Sequence, residues 1–284
     1  MLLTNSIKMS DNSFHTLRDM IYDRSGMHFP DHKKYILENR LSRRVEDGGF
    51  ESYEKYINYL KHDAGREKEF TYLFNIITTN ETFFFRDTSQ LQAFESVALP
   101  DTVHKLKTKG SKKLRIWSAA CSTGEEPYTL SMIVADRLSM PDYKDWDIEI
   151  HGSDISDGVL SSARRGEYND YSVRNVSPQH LTKYFSKNGD GKYAIKPEVK
   201  KVVRLSNINL FDDSALRMYR GMDIIFCRNV LIYFDDASKK KVISSLYNSL
   251  VSGGYLFIGH SESLFNISRA FKLVNVNNVL IYQK

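Results

Sequence analysis

The sequence predicts an α/β protein. A mostly parallel sheet is closed by an antiparallel hairpin, preceded by a small all-α N-terminal domain and interrupted by an inserted β-subdomain. Three observations predict this. Residues up to about 78 carry only helical periodicity, strand-like and helix-like segments alternate from about 112, and the alternation breaks once, over 167–200. The implied boundaries are 10–78 for the helical domain, 79–111 for a linker with an interdomain helix, and 112–284 for the α/β domain, with 167–200 inserted.

The helical domain shows four apolar stripes. Phe14, Leu17 and Ile21 share a face, after the capping candidates Asn12 and Ser13 and before Gly26. Leu37, Leu41 and Val45 form a second stripe and end at Gly48-Gly49. Tyr53, Tyr56, Ile57 and Leu60 form a third, and Phe70, Leu73, Phe74 and Ile77 a fourth. A bundle of roughly 75 residues lies near the lower limit for independent stability.

Strands are expected at Leu114–Ser118, Asp147–Gly152, Val202–Leu205, Asp223–Cys227 and Tyr255–Ile258, with helices at 125–138, 156–165 and 236–250. Phe271–Val276 and Val279–Gln283 flank Asn277-Asn278, a hairpin signal. Within 167–200, Asn188-Gly-Asp-Gly191 precedes the strand-like Lys192–Ile195, so a short hairpin is expected there.

Composition bounds the function classes. The chain has 284 residues, 41% hydrophobic, and no apolar run approaching a membrane span. Its start, MLLTNSIKMSDN, is too short in apolar residues and too poor in positive charge for a secretion signal, so a cytoplasmic protein is expected. Cys121 and Cys227 lack disulfide-framework or metal spacing, and no metal is expected. A net charge of +5 permits an acidic partner but does not demand nucleic acid.

The most informative segment is Trp117–Tyr128. A strand runs into the small residues Ser118 to Gly124 and then into a helix, which is how an open α/β sheet builds a cofactor cradle. Ser122 or Thr123 is expected to cap that helix, with Pro127 in its first turn. Glu125 and Glu126 sit where a phosphate would otherwise bind, so the ligand at this end is expected to be neutral or cationic. A well-capped helix after a tight turn is the plainer reading.

Other strand ends supply further candidates. Asp154 ends the second strand, where an acid commonly meets ribose hydroxyls, although it could simply cap the helix at 156–165. Asn209 and Leu210 follow the third strand, and Arg228, Asn229 and Tyr233 follow the fourth, where they are expected to face the ligand crevice. For Tyr233 alone, a core aromatic is the simpler expectation. Asn80, Thr82 and Arg86, around Phe83-Phe-Phe85, suit a wall facing a cleft.

Together these segments resemble the CheR family of chemotaxis receptor methyltransferases. The likeness covers nearly the whole chain. It is carried by Thr79-Asn-Glu-Thr-Phe-Phe-Phe-Arg86, Trp117–Tyr128, Ser153-Asp-Ile155, Phe226-Cys-Arg-Asn-Val-Leu-Ile-Tyr-Phe-Asp235 and Gly259-His-Ser-Glu262. The resemblance implies a Rossmann-like, S-adenosylmethionine-dependent methyltransferase sheet. It implies methyl transfer to glutamate side chains of chemoreceptor cytoplasmic signalling helices, leaving glutamate methyl esters for sensory adaptation and S-adenosylhomocysteine as product. By matched position it assigns the cofactor to Asn80, Thr82, Arg86, Glu126, Asp154, Asn209, Leu210, Arg228 and Asn229. Arg86 and Tyr233 would lie nearest the methyl group and the incoming glutamate. Segment 167–200 resembles the family's β-subdomain, which in some members docks a receptor C-terminal pentapeptide. Its loop, Ser186 to Lys192, is shorter than the glycine-rich version associated with that docking, which speaks against tethering. The usual glycine-rich turn of methyltransferases is mostly replaced here by Ala119, Ala120, Cys121 and Ser122, as in the family itself.

Substrate docking is expected on a basic helix. Lys33, Arg40 and Arg44 would fall within about 40° of one another, with Arg43 beside them. Receptor methylation regions are acidic in the family, so the charges are complementary; a solvated charged face is the alternative. A monomer is expected. Two competing classes are disfavoured. A nucleic-acid base methyltransferase usually carries an Asn/Asp-Pro-Pro-aromatic motif after the fourth strand, which Cys227-Arg-Asn-Val230 lacks. A binding module that has lost its chemistry need not keep Arg86, Asp154, Asn229 and Tyr233 together.

Overall fold

The computed structural model describes residues 7–138 and 145–284. Residues 1–6, which open the stretch read against a secretion signal, and 139–144 lie outside the described residues. The described chain divides into two compact units, one running up to Thr79 and including Tyr233–Ser238, the other comprising Asn80–Ile232 and Lys239–Lys284.

The first unit is all-α. Helices α1 (Asp11–Ser25), α2 (Lys34–Asp47), α3 (Tyr53–His62) and α4 (Arg66–Ile77) carry the four expected stripes, and every residue of those stripes is buried. The cap of α1 is not Asn12 or Ser13. Ser10 takes that place with extended backbone, and its hydroxyl accepts the Ser13 N–H. At the other end of α1, Gly26 adopts φ 71° and closes the helix in the left-handed region. The segment Tyr233–Ser238 returns to this unit: the His28 N–H donates to the Tyr233 carbonyl at 2.8 Å, Met27 bridges Phe234, and the Tyr22 hydroxyl reaches Asp235 at 3.0 Å.

The second unit is α/β. It begins with α5 (Thr88–Ala93), a π-helical turn (Phe94–Ala98) and α6 (Leu99–Thr108), whose Leu91, Phe94, Leu99 and Val103 pack into the sheet core. The strands are β1 (Lys113–Ala119), β2 (Asp147–Asp154), β6 (Val203–Asn207), β7 (Met222–Cys227), β8 (Leu250–Ile258), β9 (Lys272–Val276) and β10 (Val279–Gln283). Their order is β6-β2-β1-β7-β8-β10-β9; the first five are mutually parallel and β10 runs antiparallel to both β8 and β9. Asn277 and Asn278, at φ 49° and 66°, make the expected hairpin turn. β7 is buried along its whole length, as a central parallel strand should be. Helices α7 (Glu125–Leu138) and α8 (Asp157–Arg165) and the last helix, Asp236–Ser249, match the periodic segments.

The inserted subdomain holds a three-stranded antiparallel sheet. Its strands are β3 (Glu167–Tyr168), β4 (Phe185–Lys187) and β5 (Tyr193–Ile195), ordered β3-β5-β4. The expected hairpin is β4–β5. The edge strand β3 and the short helices α9 (Asp170–Val173), α10 (Pro178–Tyr184) and α11 (Pro197–Lys200) were not expected, being too short to show a period.

The strand order reverses direction between β1 and β7. In open α/β sheets the ligand crevice lies beyond the carboxyl ends of the strands at that switch point. Ser118–Gly124 and Arg228-Asn229 leave the sheet there.

Candidate active site at the switch point

The turn after β1 is shaped by backbone. Ala120 and Ser122 adopt φ 63° and 49°, and Gly124 φ 92°. A Cβ at Gly124 would also lie 2.8 Å from the Ala163 Cβ, so both conformation and space select glycine. Neither Ser122 nor Thr123 caps α7. The Ser122 hydroxyl donates to the Asn80 carbonyl at 3.2 Å, and the Thr123 hydroxyl donates to the Glu125 carboxylate at 2.6 Å. The Gly124 carbonyl receives the first helical bond, from the Tyr128 N–H.

Asp154 closes the turn from the next strand. Its Oδ2 accepts the Ser122 N–H at 2.9 Å and its Oδ1 the Ser156 N–H at 3.0 Å. It does not cap α8, because Ser156 does so by accepting the Val159 N–H. Asp154 is 6% exposed, and burial raises its pKa against the pull of those backbone donors. The Ile208 N–H and the Asn207 side chain donate to the Asp154 carbonyl, which brings Asn209 and Leu210 alongside. Leu210 is buried, and the Asn209 side chain accepts the Phe211 N–H at 3.0 Å.

Glu126 leads to β7. It accepts the Ser118 hydroxyl at 2.7 Å and faces the Arg228 guanidinium at 3.4 Å. Burial raises its pKa, while Arg228 opposes that rise. Glu125 is 2% exposed and engaged by Thr123 and Ser172; burial raises its pKa too. The Arg228 side chain is 3% exposed. It donates to the Arg86 carbonyl at 2.9 Å and to Asp87 at 2.8 Å. Sequence reasoning placed Arg228 facing the crevice, whereas the guanidinium is an internal strut between the 86–87 segment and α7.

That strut fixes the segment carrying Arg86. Phe85 and Asp87 adopt φ 55° and 57°, a costly conformation for a bulky residue. Phe84 is fully buried with its ring edge-on to Tyr168 and Phe185, and Phe85 stacks on His180 at 5.0 Å. Arg86 is thus held by its neighbours, while its half-buried guanidinium donates only to the Glu81 carbonyl, at 2.9 Å. Thr82 lies half-buried in the same segment.

At the end of β7, Asn229 adopts φ 59°. Its N–H donates to Glu262 Oε2 at 3.0 Å. Glu262 lies in a motif recognised in the sequence, but no role was read for it; nothing in its spacing announced the contact.

The remaining candidates lie in the helical unit. The Tyr233 hydroxyl is 3.5 Å from the Thr79 carbonyl. Lys33 lies in the 3-10 turn Asp31–Lys33 ahead of α2, so it does not share that helix's face. Arg40 donates to the Ile77 carbonyl and to the Thr79 hydroxyl. Arg44 makes a two-pronged contact with Glu69 at 2.7 and 2.5 Å, and Glu69, 6% exposed, also accepts the Tyr56 hydroxyl. Only Arg43 of the three arginines points out, with its side chain 89% exposed and paired i,i+4 with Asp47. The expected stripe of free cations is therefore corrected: two arginines brace α2 against α4.

The donor set fits S-adenosylmethionine. Asp154 is offset by backbone N–H groups and by no cation among the described residues. A cationic ligand carrying hydroxyl donors relieves such a buried acid. Among the described residues no group of side chains is arranged to hold a metal.

Comparison with known proteins agrees with this geometry. Residues 12–78 match the CheR methyltransferase all-alpha domain, and residues 80–280 match the CheR methyltransferase SAM binding domain. Chemotaxis protein methyltransferase 2 of Vibrio cholerae is 38% identical over 280 residues, covering 99% of this chain and 95% of that protein. Chemotaxis protein methyltransferase 1 of Pseudomonas aeruginosa is 33% identical, covering 95% and 97%. The Escherichia coli chemotaxis protein methyltransferase is 34% identical, covering 95% and 91%. With both domain models matched in order and these relatives at 33–38% identity over nearly the whole chain, the chain belongs to the CheR methyltransferase family.

Proposed function

We propose that this protein transfers a methyl group from S-adenosylmethionine to glutamate side chains on the cytoplasmic signalling helices of chemoreceptors. The observation that carries the reading is Arg86. A strained backbone holds it between two left-handed residues, and its guanidinium makes one hydrogen bond, to the Glu81 carbonyl, while lying over the Phe83 ring. Strain of that kind is retained where it serves a site.

The bound cofactor supplies an activated methyl group on a sulfonium. The nucleophile needs little help, since a glutamate with a pKa near roughly 4.3 is already ionised at neutral pH. No general base is required, and among the described residues Glu125, Glu126 and Asp154 are already engaged in hydrogen bonds. Arg86 holds the substrate carboxylate, and the motif position of Tyr233 implies a hydrogen-bonding role for its hydroxyl. Alignment and exclusion of water supply the rate.

Glu126, Asp154 and the turn backbone hold the cofactor, lined by Asn80, Thr82, Asn209, Leu210 and Asn229. Arg228 acts by balancing Glu126 and fixing residues 86–87. Lys33 and Arg43 supply the receptor-docking charge, because Arg40 and Arg44 are engaged within their unit. Domain limits of 10–78, 79–111 and 112–284 belong to the same reading, as does a cytoplasmic monomer. No described helix is long and apolar enough to cross a membrane. The test is incubation with labelled S-adenosylmethionine and either receptor membranes, RNA or DNA. Label in receptor is expected, and label in nucleic acid would overturn the assignment.

A further inference from the structure

We infer that Glu262 is a positioning residue, whose carboxylate fixes the left-handed Asn229 turn at the end of β7 for cofactor binding. The neighbouring parallel strands β7 and β8 both end there. Backbone N–H groups that leave a ladder need new acceptors. One oxygen serves two of them: Glu262 Oε2 accepts the Gly259 N–H at 2.6 Å and the Asn229 N–H at 3.0 Å. The Glu262 N–H in turn donates to the Gly259 carbonyl at 2.9 Å, so the residue is folded back over its own strand end. The other oxygen, Oε1, is buried with no partner among the described residues. The contacts of this carboxylate are therefore to backbone, and they join two strands.

Gly259 supports the same reading by its lack of a side chain. A Cβ there would lie 2.7 Å from Glu262 Oε2, 3.0 Å from the Asn229 nitrogen and 3.0 Å from Asn229 Nδ2. Any larger residue would wedge the carboxylate away from the turn. Asn229, at φ 59°, takes the left-handed conformation that asparagine can adopt as a single residue, and the carboxylate fixes its N–H there. The inference rests on the assignment of Asn229 to the cofactor, and the test separates the two.

Two readouts are needed: hydrogen exchange at the Asn229 and Gly259 amides, and S-adenosylmethionine affinity by calorimetry. Glu262→Ala should speed exchange at both amides while amides in β1 and β2 keep their rates, and should weaken binding about tenfold, the equivalent of one lost hydrogen bond to a charged acceptor. Glu262→Gln keeps an acceptor oxygen and should stay within about threefold of wild type in affinity. Gly259→Ala keeps the glutamate but pushes its carboxylate off the turn, and should repeat the Glu262→Ala pattern; it carries the prediction if Glu262→Ala does not fold. Unchanged exchange at both amides would overturn the inference. So would normal affinity in Glu262→Ala when Asn229→Ala binds weakly. If exchange rises but both variants bind normally, the positioning of the turn stands and the assignment of Asn229 to the cofactor fails.

Discussion

The turn after β1 and the helix α2 hold their polar groups in opposite ways. At the turn, Asp154 meets backbone N–H groups and no cation among the described residues, while Glu126 takes the Ser118 hydroxyl and faces Arg228. On α2, cations meet a buried carboxylate and carbonyl oxygens, and most of the charge is consumed within the fold. The second arrangement stabilises a bundle, whereas at Asp154 we propose that the cationic cofactor supplies the missing charge. Residue type does not separate the two cases. What separates them is whether the opposite charge is already present in the structure.

The largest expected effect falls at Arg86. Arg86→Ala should lower the methylation rate by about a hundredfold or more, the scale of one removed electrostatic contact in a transition state. Its unfolding free energy should change by less than about 1 kcal/mol, since the guanidinium makes one partly exposed hydrogen bond. A normal rate would remove the residue from the chemistry.

Asp154→Ala tests the turn itself. It leaves two buried N–H groups unpaired and should cost roughly 2–4 kcal/mol in denaturant unfolding, together with cofactor affinity. Acidification should mimic the binding loss in the wild type. Because burial raises the Asp154 and Glu126 pKa values, affinity for a cation falls at a higher pH than ordinary carboxylates would give. A flat affinity between neutral and mildly acidic pH, measured by calorimetry, would contradict this.

On α2 the contrast can be drawn within one helix. Arg44→Ala strands the buried Glu69 and should cost about 2–3 kcal/mol of stability without altering cofactor affinity. Arg43→Glu should leave stability within about 0.5 kcal/mol and raise the apparent receptor KM several-fold. If both variants behaved alike, the division between bracing and docking cations would fail.

Asp223 offers the smallest test, a buried acid at the opposite end of β7 from Asn229. Burial pushes its pKa up to about 6, against the pull of the Arg115 N–H that it accepts. The native state therefore holds this proton more tightly than the unfolded chain, and stability falls as pH rises from about 4 to about 6. Asp223→Asn removes that slope and should be more stable than wild type at neutral pH by about 1–2 kcal/mol. Equal stability across that range would show that Asp223 is not strained by its charge.

The elements that could be read from sequence were those with a local cause. α7 (Glu125–Leu138) and β10 (Val279–Gln283) end where periodicity and turn residues say they should. β8 was read from Tyr255 but begins at Leu250, because Ser252-Gly253-Gly254 reads as a turn. Gly253 takes φ 79°, and its N–H instead bonds the Lys284 carbonyl across the sheet. The places of the small-residue turn and of Asp154 were legible, since both follow from where β1 and β2 end. Arg44 with Glu69, Arg228 with Asp87, and Glu262 with Asn229 are pairs distant in sequence. No spacing rule carries them, so a cation reads as free until its partner is seen.

The central claim, glutamate methylation at the switch-point site, is tested most directly by labelled S-adenosylmethionine. Wild-type protein and Arg86→Ala would be incubated side by side with receptor-containing membranes from the source organism. The account predicts receptor label that is released by mild base, as expected of a glutamate ester, and that is nearly absent with Arg86→Ala. Base-stable label, or equal labelling by the two proteins, would contradict it.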